Sequence, residues 1–305
     1  MIRRQQRNFI ISFLLPGVLL YTVFVFYPAI QGVLISLLDW SGLSMRMSFS
    51  GLENYQTLWK ELTDADDYYN VRRYLWNNMF LFVSSLIAIV LGLAAAALIH
   101  SKPRGYNLFR ITYFFPQVLA VPAIAVLWAM VLNPNFGLVN SLLRGIGFES
   151  AALPWLSLQH DLPFAKLGMY AVAFIGIWAA LGWYMILFLA SIQNIPSDYT
   201  EAARIDGATG FQAFRFITIP LIWETVHTVL IFAVMGMFGA FALPYILFGQ
   251  QPSKHSDVIY SYYYWQAFGN NNWGYAAAII VSVTVVTLIA TLITYFALKR
   301  ESVQY

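Results

Sequence analysis

Apolar residues gather into six long runs, at about 9–38, 78–99, 111–132, 167–192, 226–248 and 275–298, separated by polar or mixed stretches. A helix of about 20 apolar residues spans a bilayer, so the pattern predicts six transmembrane helices. None of the runs carries Asp, Glu, Lys or Arg in its central part. A charge held at mid-bilayer costs at least about 2.5–3.5 kcal/mol and persists mainly where it works, as in a proton relay. The bare centres argue against a proton-coupled carrier, while sodium coupling through backbone carbonyls stays open. Pro16, Pro28, Pro116, Pro122 and Pro244 lie inside or at the ends of runs and predict kinks. The first run is too long for a signal peptide and no small-residue cleavage site follows it, so it reads as the first span. The expectation is an all-α membrane protein: one transmembrane domain over 1–305, with a polar loop at 193–224 between the fourth and fifth spans.

Composition agrees with this pattern. The chain is 60% hydrophobic and 10% charged, whereas about 25% of residues in a soluble domain are charged. The absence of cysteine excludes disulfides and cysteine-ligated metals. His100, His160, His227 and His255 show no i, i+4 pairing, so no metal site is expected. A net charge of +3 points to no nucleic-acid partner.

The placement of charge is more informative than its sum. Six spans put both termini on one side, with Arg3, Arg4, Arg7, Lys102, Arg104, Arg110, Arg204, Arg215, Lys299 and Arg300 in short segments: ten of the 17 basic residues. The other side carries the remaining seven in longer loops, beside Asp39, Glu53, Glu61, Asp64, Asp66 and Asp67. The positive-inside rule then places both termini and the 193–224 loop in the cytoplasm, with Arg72 and Arg73 against the trend. On the outer face, the loop 249–274 contains YSYYYWQAFGNNNWGY. It reads either as an aromatic belt at the headgroups or as a contact surface for a docked partner or a sugar.

One polar stretch stands out. Within Glu201–Arg215, two Arg and two carboxylates fall between long apolar runs. Pro196 closes the fourth span, and Ser197 or Asp198 can cap a new helix, with Glu201 three residues past Asp198 in capping-box spacing. Gly207 and Gly210 end that helix, and a second turn presents Phe211, Phe214 and Ile217 as an apolar stripe. Asp206 can cap the following turn or pair with Arg204 or Arg215. Ala202, Ala203 and Gly207 are small enough for another backbone to approach closely. Two readings stay open: an amphipathic helix lying on lipid, and a helix seated in a groove of another protein.

The stretch EAARIDGATGFQAFRFITIP resembles the EAA loop of binding-protein-dependent ABC importer permeases, whose pattern is EAA, then DGA, then an aromatic, then I-x-x-P. Glu201, Ala202, Ala203, Asp206, Gly207, Ala208, Phe214, Ile217 and Pro220 fall on it. IQNIPSDYT, NPNFGLVN, ALPYILFG and WGYAAA are similar to the carbohydrate branch, which includes maltose and glycerol-3-phosphate permeases. The resemblance implies a six-span permease of the type I importer kind, multi-pass in a prokaryotic plasma (inner) membrane. It implies that the loop is a coupling helix, seated on a cytoplasmic ATPase. Its implied partners are a second, homologous permease subunit, two ATPase subunits and an extracytoplasmic solute-binding protein that delivers a small carbohydrate. No G-x-x-x-x-G-K-[ST] occurs in the chain. No cofactor and no catalysis are therefore expected here, with ATP and Mg on the partner ATPase.

Carried over from the resembling permeases, the substrate pathway would be lined by Gln117 and Val121 on the third span. Gly176, Ala179, Ala180 and Trp183 would line it before the loop, and Gly236, Met237 and Ala240 after it. Trp183 could stack on a sugar ring, and the small residues leave space. The same residues also suit close helix packing. Alternative functions are a secondary transporter working without an ATPase, an importer permease for a non-sugar solute, and a membrane scaffold or export component.

Overall fold

A computed structural model describes residues 2–64, 71–249 and 257–299. Asp66, Asp67, His255, Arg300 and the side chains of Arg3, Arg4 and Arg7, which enter the charge argument, lie outside the described residues. Among the described residues, four helices are long and apolar enough to cross a membrane, and six spans result if each of two sharply bent helix pairs counts as one. The chain divides into two compact units, Met1–Asp67 with Tyr263–Thr284, and Tyr68–Tyr262 with Val285–Tyr305.

In the first unit the apolar span Phe9–Ile35 runs 27 residues, and none of its most apolar stretch is buried. The helix widens into a π turn at Thr22–Phe26, immediately before the helix Tyr27–Ile35 that carries Pro28 near its start. Proline lacks an N–H and its ring crowds the carbonyl four residues back, and a wider turn relieves both. A two-stranded antiparallel ribbon follows, pairing Leu38 with Phe49 and Asp39 with Ser48. It leads to the helix Glu53–Thr63. Asn54 donates to the carbonyls of Ser36 and Leu38, at 2.9 and 3.0 Å. Trp273 and Gly274, which open the helix Trp273–Leu298, donate their N–H groups to Trp40 at 3.0 and 3.2 Å. A Cβ at Gly274 would collide with the Leu38 carbonyl, and the Tyr275 hydroxyl donates to the Glu61 carboxylate.

The second unit is built on the helices Val71–His100 and Leu167–Gln193. Their shared core contains Ile89, Ala96, Ile99, Met185, Phe188 and Ile192, joined by Ile222, Val229 and Ala233. Glycines allow the close approach. A Cβ at Gly92 would stand 2.6 Å from Cβ of Tyr184, and one at Gly182 would meet the backbone of Tyr113 and Phe114. Without a hydrophobic drive between helices in lipid, such small residues let dispersion and backbone contact hold the pair. At the other end of the long helix, Asn77 and Asn78 are fully buried. Asn77 donates to the Asp257 carbonyl at 2.8 Å, and Asn78 accepts from the Ile259 N–H at 2.8 Å.

Two predicted spans are not single straight helices. The run 111–132 is divided into Tyr106–Val118 and Val121–Val131, which meet at 104°. Leu119 and Ala120 are extended, and Pro122 sits in the first turn of the new helix, where its missing N–H costs nothing. The run 226–248 begins in the helix Trp223–Met235, loses helical form after Gly236 and resumes as Ala242–Phe248. The other predicted runs fall within Phe9–Ile35, Val71–His100, Leu167–Gln193 and Trp273–Leu298, apart from the last few residues of the first run.

Candidate functional site: a coupling segment and a small-residue cavity

The loop after Leu167–Gln193 folds into the short helix Ser197–Ile205. Its N-cap is the extended Pro196, with no side-chain cap, so the capping box expected from Asp198 and Glu201 does not form. Pro196 starts the helix early and draws Ser197 and Asp198 into the first turn, where the Asp198 carboxylate still favours the helix dipole. The helix ends as the glycine predicts. Gly207 takes φ +80, Ala208 donates to the Ala203 carbonyl at 2.9 Å, and Gly207 donates to Arg204 at 3.1 Å. These two bonds are the Schellman pattern, which satisfies carbonyls left open by the last turn.

The next turn is where the loop's capping box lies. Thr209 donates its N–H to Gln212 Oε1 at 2.7 Å, and Gln212 donates its N–H to Thr209 Oγ1 at 3.3 Å. The signal is present as T-G-F-Q, the S/T-x-x-E/Q spacing. With Thr209 as cap, Asp206 takes no such role. Among the described residues, Asp206 pairs with neither Arg204 nor Arg215. The Arg215 guanidinium instead lies 5.7 Å from the Phe216 ring centre.

The predicted stripe Phe211, Phe214, Ile217 is divided. Phe214 and Ile217 are half-buried and Phe211 is exposed. Phe211 lies in the α-helical turn Gly210–Ala213, and a π turn over Phe214–Thr218, ahead of Pro220, follows it. The chain then bends by 70° at the join between Gly210–Leu221 and Trp223–Met235.

The short helix therefore presents an uncovered face. Glu201, Ala202, Ile205, Asp206 and Gly207 are exposed, and only Ala203 of the helix is buried. Ile205 is 87% exposed and Phe211 71%. Apolar side chains at this level of exposure, set among charges of both signs, make a face that this chain does not cover.

Further along the unit is a cavity of about 360 Å³. It is lined by five residues carried over as pathway positions: Val121, Gly176, Gly236, Met237 and Ala240. Residues from three stretches of chain, about 55 to 65 positions apart, thus meet at one place. The other four carried-over positions lie outside the lining. Ala179 packs against the cluster of Ile124 and Ile175, Ala180 is half-buried, and Gln117 and Trp183 are exposed.

Phe82 and Ser85 of Val71–His100, with Gly239 and Pro244, are also part of the wall. These were not among the sequence candidates, although the interruption G-M-F-G-A-F-A-L-P at 236–244 marked the place. Non-helical backbone at membrane depth is tolerated where it is buried in protein or lines a cavity. The 236–241 stretch does the latter, and Asn78 donates a long bond, 3.5 Å, to its Met237 carbonyl. The lining is chiefly apolar and small, with Ser85 the polar side chain, and that hydroxyl donates to its own helix at Phe82.

The family model described as "Binding-protein-dependent transport system inner membrane component" matches residues 88–302, which contain the exposed short helix and every cavity-lining position after 88. YurN of Bacillus subtilis (strain 168), a probable ABC transporter permease protein, is 35% identical over 283 residues, covering 92% of each chain. MsmF of Streptococcus mutans, a multiple sugar-binding transport system permease protein, is 30% identical and covers 96% of each chain. Among solved structures, a chain from the crystal structure of a bacterial ABC transporter involved in import of the acidic polysaccharide alginate matches with TM-score 0.82. That match covers 99% of both chains at 21% identity, a likeness of fold.

Proposed function

Because the chain belongs to the family of binding-protein-dependent transport system inner membrane components, we propose that it is the transmembrane permease subunit of an ATP-driven ABC importer. Its cargo is a sugar, an oligosaccharide, or a related polyol or sugar phosphate, handed over by a solute-binding protein. Relatives named for sugar uptake support the cargo class. The observation that carries the mechanism is the short helix Ser197–Ile205, capped at Gly207 and left with an exposed Ile205 that its own chain does not cover.

In this reading Glu201, Ala202, Ala203, Asp206, Gly207, Ala208, Phe214, Ile217 and Pro220 form the segment that docks on a cytoplasmic ATPase. Two such ATPase subunits hold ATP and Mg, and a second permease completes the pair. Each bent helix pair counts as one span, so one transmembrane domain of six spans has both termini and the 193–224 loop in the cytoplasm. ATP binding closes the ATPases and draws the two coupling helices together. The cavity at Val121, Gly176, Gly236, Met237 and Ala240 then opens outward to receive substrate, and hydrolysis resets it. Gln117, Ala180 and Trp183 extend the pathway towards the face met by the second permease, which supplies polar contacts that the small apolar lining lacks.

The test is mild extraction of the tagged chain from native membranes and mass spectrometry of what accompanies it. A P-loop ATPase and a second six-span chain in stoichiometric amounts are expected. A chain that purifies alone and moves solute in liposomes without ATP would replace this reading with a secondary transporter.

A further inference from the structure

Behind the exposed short helix lies a second and larger cavity, of about 690 Å³, unlike the pathway cavity in chemistry. Its wall comes from the end of Val71–His100 and the residues just after it, from Ile192 near the end of Leu167–Gln193, and from the loop segment between Thr200 and Thr218. His100, Ser101, Lys102, Thr200, Arg204 and Thr218 line it, and among the described residues no Asp or Glu does. Among the described residues, neither Lys102 nor Arg204 has an acidic partner. The rest of the wall is apolar or small, including Leu98, Ile192 and Phe214.

Lys102 holds its place by an uncommon backbone. It takes φ +50 immediately before Pro103, where a helix exit more often has glycine, and its N–H donates to Ile99 at 3.0 Å. Ser101 donates its hydroxyl to the Leu98 carbonyl at 2.7 Å. The helix end is thus tied off, and the two cations stand in the wall without an acidic partner among the described residues. Two cations around one recess repel until an anion joins them. A phosphate group matches a recess that combines an ammonium and a guanidinium, whereas the Ser101 and Thr200 hydroxyls already donate to the Leu98 and Ser197 carbonyls. The apolar side chains beside the cations suit the glycerol and first acyl carbons of a phospholipid, and basic pockets between span ends bind such headgroups.

We propose that this cavity is a phosphate-binding site, occupied by the headgroup of an anionic phospholipid, that links the coupling segment to the end of the second span. Arg204 belongs to the segment and Lys102 to the span end, so one bound phosphate bridges the part proposed to move and the part it must move. Assignment to the cytoplasmic leaflet rests on the orientation proposed above; the cavity and its charges do not.

The experiment is native mass spectrometry of the complete transporter, purified with whatever partners accompany it and transferred to phosphatidylcholine nanodiscs doped with phosphatidylglycerol. Wild type is compared with Lys102→Gln/Arg204→Gln and with Arg215→Gln, an exposed cation of the same loop outside the cavity. Each basic contact at a lipid surface is worth about fivefold in binding. The double variant should retain phosphatidylglycerol about 25-fold more weakly than wild type, and Arg215→Gln should match wild type. A parallel titration of inorganic phosphate in lipid-depleted detergent reads thermal stability. Stabilisation of wild type and not of the double variant, without lipid retention, identifies free phosphate as the source. Equal behaviour of wild type and double variant toward both ligands overturns the site. These readouts do not require transport, so failure of the importer reading, seen as missing partners, is distinguished from failure of this one.

Discussion

Gly182 shows how little slack the second unit has at the residue scale. A Cβ there would lie 2.3 Å from the Tyr113 carbonyl oxygen and 2.7 Å from Cα of Phe114. Backbone cannot swing aside as a side chain can, so Gly182→Ala is expected to destabilise the protein by about 1–3 kcal/mol. Thermal unfolding of the purified transporter measures this, and an unchanged midpoint would contradict the packing described. Gly207 poses the opposite case. Nothing lies within 4 Å of its would-be Cβ, yet its φ of +80 belongs to the left-handed region. A β-branched residue pays about 1–2 kcal/mol in that conformation. Gly207→Val should therefore fray the end of Ser197–Ile205 and lower sugar uptake per ATP hydrolysed, while hydrolysis itself continues. Equal uptake per ATP in proteoliposomes would remove Gly207 from the coupling role.

At the scale of elements, the breaks carry the argument. The bends at Leu119–Ala120 and after Gly236 bring Val121, Gly176 and Ala240 to one cavity, which a straight helix at either place would not do. Filling that cavity is the direct test. Ala240→Trp should lower uptake about tenfold or more while the chain still co-purifies with its partners. Uptake at the wild-type rate would mean that the 360 Å³ space lies off the route. Helix existence was legible in the apolar runs, because a bilayer demands about 20 apolar residues per span. The breaks were only half legible. Pro122 and Pro244 announced kinks without saying how far the chain would turn, since the angle depends on which neighbours satisfy the freed backbone. Exposure separates Phe211 from the half-buried Phe214 and Ile217, because it depends on which side chain meets the rest of the chain and not on spacing alone.

At the scale of the whole molecule, the short helix Ser197–Ile205 is the surface on which the proposed importer rests. Its exposed Ile205 and its charges of both signs fit a groove in an ATPase better than an anionic membrane surface. In proteoliposomes containing the assembled transporter, uptake is therefore expected to require both ATP inside and a solute-binding protein outside. Uptake that persists at the same rate with either one omitted would count against the importer mechanism. The first unit offers a further uncovered surface. Leu43, Met45, Phe49 and Trp59 are all exposed on its ribbon and helix.

The sequence alone determined the fold class, the apolar runs and the short helix closed by Gly207, because each rests on a local rule: hydropathy length, charge placement, or the conformational freedom of one glycine. It also carried the family resemblance in EAARIDGATGFQAFRFITIP. Tertiary structure decided which small residues face a cavity and which pack. Ala179 joins a core and Ala240 lines a space, though both are alanines on apolar helices. It also decided that Lys102 and Arg204, about a hundred positions apart, share one recess. These outcomes depend on contacts between distant segments, and no local pattern of residues encodes where two helices will touch.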